Sequence, residues 1–97
     1  MAQQFVKDSI SKKRVVIFSK SYCPYCVMAK EQFKKINFDF LAVEIEDRPD
    51  CQEIQDVLNE MTGARSVPRV FIDGKFVGGG TDVKKLYETG QLAKMLK

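Results

Sequence analysis

Ninety-seven residues, 44% of them apolar, with only 3 Pro and 6 Gly, describe one ordinary globular domain spanning residues 1–97, near the small end of what folds without metals or staples. Sixteen Lys and Arg against 13 Asp and Glu leave a net charge of +3, too mild and too dispersed to point to nucleic acid, although a basic face still attracts a small anionic substrate. No apolar run is long enough to cross a bilayer, nothing resembles a secretory signal, and Ala2 stands where myristoylation needs Gly, so no membrane partner is expected and the expected setting is the reducing cytoplasm.

In chain order, Val6 and Ile10 lie four apart and predict a short helix over residues 3–12. Residues 14–19 are mostly β-branched and aromatic, a buried strand. A helix over residues 24–36 places Cys26, Ala29, Phe33 and Ile36 on one stripe. Asn37 and Asp39 turn the chain into a second strand, 40–45. Asp50 and Glu53 have the spacing of a capping box, with Asp for the usual Ser or Thr, and open a helix over 50–61. Its apolar face is Ile54, Val57, Leu58 and Met61, and Gly63 ends it as a left-handed cap. Residues 69–72 and 75–77 flank Asp73-Gly74, a hairpin signal. Gly78-Gly79-Gly80 then leads to Thr81 and Asp82 as caps of a last helical region. There Val83, Leu86 and Tyr87 form one stripe and Leu92, Met95 and Leu96 another, divided by Gly90. The expected class is α/β in the order α-β-α-β-α-β-β-α-α. Its first two strands are parallel through a right-handed crossover, and the hairpin completes a four-stranded mixed sheet with helices on both faces.

Cys23-Pro24-Tyr25-Cys26, between the first strand and the second helix, carries the chemistry. Cysteines three apart on a helix share a face, within the Cα separation of roughly 4.4–6.8 Å that a disulfide spans. Pro24 fits the first helical position, where its missing N–H would have had no partner. Cys23 then stands at the helix N-terminus, where unpaired N–H groups favour a thiolate. Cys23 reads as the nucleophile and Cys26, buried by the helix stripe, as the resolving thiol. Three other readings compete. A zinc site usually needs four Cys or His ligands, and this chain has three Cys and no His. A structural disulfide suits a secreted scaffold, for which 3 Cys are too few and odd in number. Coincidental core cysteines do not account for Pro24 or the strand-to-helix setting. Cys51 is left over. A helix start favours its thiolate, but Asp47, Asp50 and Glu53 oppose it, and it reads as an accessory thiol without a catalytic role.

Lys20 three residues before Cys23, the Cys-Pro-Tyr-Cys itself, Ser66-Val67-Pro68, and Gly78-Gly79-x-Thr81-Asp82 occur in this order over nearly the whole chain. Together they resemble the dithiol glutaredoxins (thioltransferases), proteins of the thioredoxin fold. Ser66 stands where that family usually has Thr, keeping the hydroxyl and losing a methyl. Thioredoxin itself usually has Trp-Cys-Gly-Pro-Cys, whereas this chain has no Trp and places Tyr22 before Cys23.

The resemblance implies a glutathione-dependent thiol–disulfide oxidoreductase: glutathione as co-substrate, no tightly bound cofactor, no metal, a monomer, and glutathionylated or disulfide-containing proteins as partners. Val67-Pro68 resembles the family's cis-proline segment, which would present the Val67 backbone to the cysteinyl residue of glutathione; an ordinary strand-entry proline is the other reading. The helix start at Thr81 and Asp82 implies a place for the γ-glutamyl carboxylate on free N–H groups and for its amine on Asp82, against plain capping. Lys20 and Gln55 match positions that hold the glycyl carboxylate, with an exposed, solvated side chain as the alternative for Gln55. Two readings also stand for Tyr25, packing over glutathione or a bare exposed aromatic, and for Gly78 and Gly79, backbone approach to the ligand or a tight turn. Rival functions are an iron–sulfur carrier, in which two Cys23 thiolates and two glutathiones hold a cluster across a dimer, and a thioredoxin-like electron donor. Pro24 after the first Cys counts against the former.

Overall fold

Val15, Val16, Ile17, Phe18 and Ser19 are buried without exception. A strand with no polar face needs a cover on each side, and the computed structural model, which describes residues 1–97, provides it. The elements are α1 (Ala2–Lys12), β1 (Val15–Ser19), α2 (Pro24–Lys35), β2 (Leu41–Glu44), α3 (Cys51–Thr62), β3 (Arg69–Ile72), β4 (Lys75–Gly78), α4 (Gly80–Glu88) and α5 (Gln91–Met95). The sheet order is β2-β1-β3-β4. β2 runs parallel to β1, with Val16 opposite Leu41, and β3 runs antiparallel to it, with Val16 opposite Phe71. Class, order and mixed sheet are those expected.

Alternation along β1 divides the core in two. Val15 and Ile17 join Val70 and Ile72 against Ala29 and Phe33 of α2, Val83 of α4 and Leu92 of α5. Val16 and Phe18 join Phe71 on the other face against Val6 of α1 and Ile54 and Leu58 of α3, with Phe18 and Phe71 meeting edge to face at 5.8 Å. At one end of β1, Arg14 pairs with Asp73 through Nε at 2.8 Å and Nη2 at 3.1 Å, while its Nη1 donates to the Leu96 carbonyl. That end is tied shut. The other end, after Ser19, is where the cysteines lie.

The β3–β4 pairing shifts register between Val70 and Phe71: Phe71 faces Phe76, whereas Val70 faces Gly78. Such an irregularity bends the strand that carries it, here the one leading into the glycine run. Asp73 and Gly74 both have positive φ, 51° and 82°, as the hairpin turn requires, and Gly63 caps α3 with φ 90°.

Three expectations need correction, and one alternative falls away. Asp50 does occupy the N-cap of α3, but its carboxylate makes no cap bond; Arg48 holds it through Nε at 2.9 Å and Nη2 at 3.2 Å, and a two-point ion pair takes the place of a single N–H contact. Neither Thr81 nor Asp82 is the N-cap residue, which is Gly79, but Asp82 does cap the start of α4 from its third position by accepting the Gly79 N–H. Met61 and Met95 leave their predicted stripes for solvent, at 44% and 38% exposure. The exposed alternative weighed for Gln55 does not hold: the residue is buried, and its Nε2 donates to the Arg65 carbonyl at 2.9 Å.

Phe33, fully buried between α2 and the sheet, and Met61 therefore separate true core from apparent stripe. Phe33→Ala should cost about 3–5 kcal/mol in urea unfolding, and Met61→Ala should stay within about 0.5 kcal/mol. Equal losses would mean that α3 packs on the face its periodicity suggests.

Candidate active site

Cys23 takes the N-cap of α2 in extended conformation, with Pro24 following as the first helical residue. The proline prevents the helix from starting earlier, so the sulfur stands beyond the first turn. There it accepts the Cys26 N–H at 3.3 Å. Its other near neighbour is the Val67 carbonyl oxygen, 3.8 Å away. The Cys23 N–H donates to the Lys20 carbonyl at 3.1 Å, closing the loop that leaves β1. Both Ser21 donors, the N–H at 3.1 Å and the hydroxyl, go to Glu46 just after β2. The Ser21 hydroxyl is the chief reason that the Glu46 carboxyl sits below its ordinary range. This cross-link fixes the approach to Cys23.

Cys23 is partly exposed, whereas Cys26 is fully buried, and both are free thiols. Burial first, and the hydrogen bond with Cys23 second, push the Cys26 thiol up to about 11. The Lys20 N–H, donating to the Cys26 sulfur at 3.5 Å, acts in the opposite direction. One sulfur is thus presented to solvent with a donor aimed at it, and the other is kept protonated behind it.

Beside Cys23 lies a cleft of about 350 Å³, lined by Tyr25, Ser66, Val67, Pro68, Arg69 and the first turn of α4 from Gly79 to Asp82. That volume falls in the range of small-molecule sites, roughly 300–1,000 Å³. The Val67–Pro68 peptide is cis, as the family resemblance implied. Asp82 bends back so that its Oδ2 accepts the Gly79 N–H at 2.9 Å. Gly78 permits this: its φ is +136°, and a Cβ there would stand 2.5 Å from the Asp82 Cβ. Gly80 permits a second close approach, since its Cβ would lie 2.6 Å from the Tyr25 carbonyl oxygen. The glycines therefore bring α4 against the start of α2. A larger hollow of about 590 Å³ between residues 10–14 and the Asp73-Gly74 turn holds no cysteine and contains the Arg14–Asp73 ion pair, so sulfur chemistry is confined to the smaller cleft.

Tyr25, Val67, Pro68, Thr81 and Asp82 thus share one cleft, with Cys23 at its edge through Val67. Tyr25 is 55% exposed. Lys20 and Gln55 do not line it. Lys20 binds both cysteines through its backbone, and its ammonium has no carboxylate partner. Gln55 buries one end on the Arg65 carbonyl and accepts the Cys51 thiol at 3.5 Å. Sequence reasoning missed Arg69 and Glu46. For Arg69 the signal was available, because a residue next to Pro68 at the mouth of a strand has to face the cleft or one core. For Glu46 nothing marks a loop carboxylate as the anchor of a distant serine.

The glutaredoxin family model matches residues 15–77. Among curated relatives, Glutaredoxin-C4 of Arabidopsis thaliana is 50% identical over 92 residues, covering 95% of this chain and 68% of that protein. Mitochondrial Glutaredoxin-2 of Mus musculus is 42% identical over 91 residues, covering 94% and 58%. Oxidized glutaredoxin 2 from Chlamydomonas reinhardtii has a structure that superposes with a TM-score of 0.93 at 45% identity, over 98% of this chain and 90% of that one. A buckwheat glutaredoxin–glutathione complex gives 0.93 at 36% identity, over 99% and 87%.

The buried Cys26 thiol links stability to pH. Its folded value of about 11 lies above the ordinary 9.0, so the stabilisation from keeping it neutral is complete below pH 9 and is lost as pH rises toward 11. The stability gap between reduced wild type and Cys26→Ala in urea should therefore narrow between pH 8 and pH 11. A constant gap would show that Cys26 is not held neutral by burial.

Proposed function

The chain belongs to the glutaredoxin family, and from that premise we propose that it is a glutathione-dependent thiol–disulfide oxidoreductase acting through Cys23 and Cys26 on protein–glutathione mixed disulfides and protein disulfides. The observation that carries this reading is the partly exposed Cys23 sulfur, held by the Cys26 N–H at 3.3 Å at the edge of a cleft whose wall is the Val67 backbone. The buckwheat relative bound to glutathione supports the choice of thiol.

In the first step the Cys23 thiolate attacks the glutathione sulfur of a mixed disulfide. A sulfur–sulfur bond forms between Cys23 and glutathione, the old one breaks, and the protein thiolate leaves and takes a proton. A second glutathione thiolate then attacks the glutathione sulfur on Cys23, producing glutathione disulfide and returning Cys23 as thiolate. With a protein disulfide, Cys23 forms a mixed disulfide with one substrate sulfur. Cys26 gives up its proton, attacks Cys23 and expels the reduced product. Electrons come from reduced glutathione, itself maintained by an NADPH-dependent reductase. Sulfur exchange is the whole chemistry, and no tightly bound cofactor takes part.

Each cleft residue has a place in this scheme. The Val67 backbone pairs with the cysteinyl residue beside Pro68, and Tyr25 packs over the tripeptide. The first-turn N–H groups of α4, which have no partner inside the helix, face the γ-glutamyl carboxylate at Thr81, while Asp82 takes the amine. Lys20 takes the glycyl carboxylate, with the remaining amide N–H of Gln55 beside it. Cys51 lies outside the scheme. We place the protein in the cytoplasm as a monomer, with residues 1–97 acting as one redox unit.

The two cysteines should separate by substrate. Cys26→Ser should retain turnover of a small glutathione mixed disulfide but lose most reduction of protein disulfides, which needs the internal resolver; Cys23→Ser should lose both. The coupled assay with glutathione reductase measures the first activity, and insulin precipitation measures the second. Loss of deglutathionylation in Cys26→Ser as complete as in Cys23→Ser would rule out the monothiol route.

A further inference from the structure

Four arginines occur in the chain, and three have carboxylate partners: Arg14 with Asp73 at 2.8 Å, Arg48 with Asp50 at 2.9 Å and Arg65 with Asp56 at 3.0 Å. Arg69 has none. It is also the one that lines the cleft. Its guanidinium lies over the Phe76 ring at 5.0 Å and donates only to neutral acceptors. Nε reaches the Pro68 carbonyl at 3.2 Å, Nη1 the Thr62 hydroxyl at 3.3 Å and Nη2 the Ser66 hydroxyl at 3.4 Å. A guanidinium has five N–H donors, so one on each terminal nitrogen remains free. Partial burial lowers the Arg69 value from its ordinary one, and only the field of Asp82 opposes that effect. A desolvated cation held by neutral groups gains most from an anion that arrives from outside.

Asp82 shows where such an anion would sit. The point that a Cβ on Gly79 would occupy is 3.6 Å from Arg69 Nη2 and 3.9 Å from Asp82 Oδ2. One cation and one anion, unpaired with each other, thus flank the same backbone residue at one end of the cleft. Their complement is a zwitterion with carboxylate and ammonium on one carbon. Among the three residues of glutathione, only the γ-glutamyl end is such a group, because its peptide link runs through the side chain.

We propose that Arg69 is a specificity-determining residue that binds the α-carboxylate of the γ-glutamyl group while Asp82 binds its ammonium, so that the cleft selects a free amino-acid head group. This rests on the glutathione reading above and adds to the α4 N–H groups a charged donor from β3. Thr62, Ser66 and Phe76 hold the guanidinium in place before the ligand arrives, which limits the ordering cost of a long side chain.

Two analogues of glutathione divide the head group. 4-Aminobutyryl-Cys-Gly keeps the ammonium and lacks the carboxylate, and glutaryl-Cys-Gly does the reverse. Each, like glutathione, is joined by a disulfide to the same coloured thiol. Release of that thiol by excess pre-reduced protein, without added glutathione, gives the second-order rate constant of the first step. Arg69→Gln should slow the glutathione and glutaryl substrates about tenfold, the low end for a charge-assisted bond, and change the 4-aminobutyryl substrate less than about twofold. Arg69→Lys should recover part of the loss. Asp82→Asn should show the opposite pattern, sparing the glutaryl substrate. An equal loss on all three substrates in Arg69→Gln would make Arg69 a structural residue and overturn the proposal. Wild-type protein that handles all three alike would overturn the glutathione reading itself, and the Arg69 role with it.

Discussion

The hydrogen bond from the Cys26 N–H to the Cys23 sulfur is the interaction on which the site depends. It requires Cys23 to sit just outside a helix and Cys26 just inside it, with nothing between them that could extend the helix backward. Pro24 supplies that stop. It also requires the helix to start at the open end of the sheet. β1 ensures this, because its side chains are locked into both cores and it can slide in neither direction without exposing one set. A helix start contributes about 0.3–1 kcal/mol to a nearby anion, and a direct bond to a charged group about 1.5–3 kcal/mol. The aimed donor at 3.3 Å, rather than the general field of α2, is therefore the contact that places the Cys23 sulfur.

Three separate segments meet around that sulfur, and each is held by a contact that involves no cysteine. The Lys20–Tyr22 loop is fixed by Ser21 on Glu46. The Ser66–Pro68 segment is held from behind, where Gln55 binds the Arg65 carbonyl. The first turn of α4 meets Tyr25 through Gly80 and closes on itself through Asp82 and Gly79. The cleft is formed before any ligand arrives. Its chemistry is asymmetric: an apolar and backbone wall at Val67 and Pro68, and opposite charges from Arg69 and Asp82 at the α4 end. The wall suits any extended disulfide-bearing chain, whereas the charged end suits one kind of head group. On the proposed reading, reactivity and selectivity belong to different ends of one cleft.

Much of this was legible in the sequence. The doubly buried β1 followed from its unbroken run of β-branched and aromatic residues, and the hairpin followed from Asp73-Gly74. Motif residues far apart in the chain, Tyr25, Val67 and Asp82 among them, proved to line one cleft. The misreadings share a physical cause, in that hydrophobic periodicity counts apolar residues and does not register polar ones that satisfy themselves. Gln55 fills a buried helix position by bonding the Arg65 carbonyl, while Met61 and Met95, on the expected stripes, remain exposed. Asp50 failed as a cap for a related reason, because Arg48 two residues away offered a stronger partner. For Arg69 the sequence offered its place beside Pro68, but what sets it apart is comparative: only the structure shows that the other three arginines are paired and this one is not.

The Cys23–glutathione mixed disulfide, trapped in Cys26→Ser and examined by isotope-filtered NMR, bears most directly on the placement of glutathione. The cysteinyl amide of the bound tripeptide should show contacts to Val67, and the glutamyl α-proton contacts to Gly79 and Asp82. Glycyl contacts should fall toward Lys20. A tripeptide that reaches instead along the outer face of α2, toward Val27 and Met28, would contradict this placement and with it the roles assigned to Val67, Asp82 and Arg69.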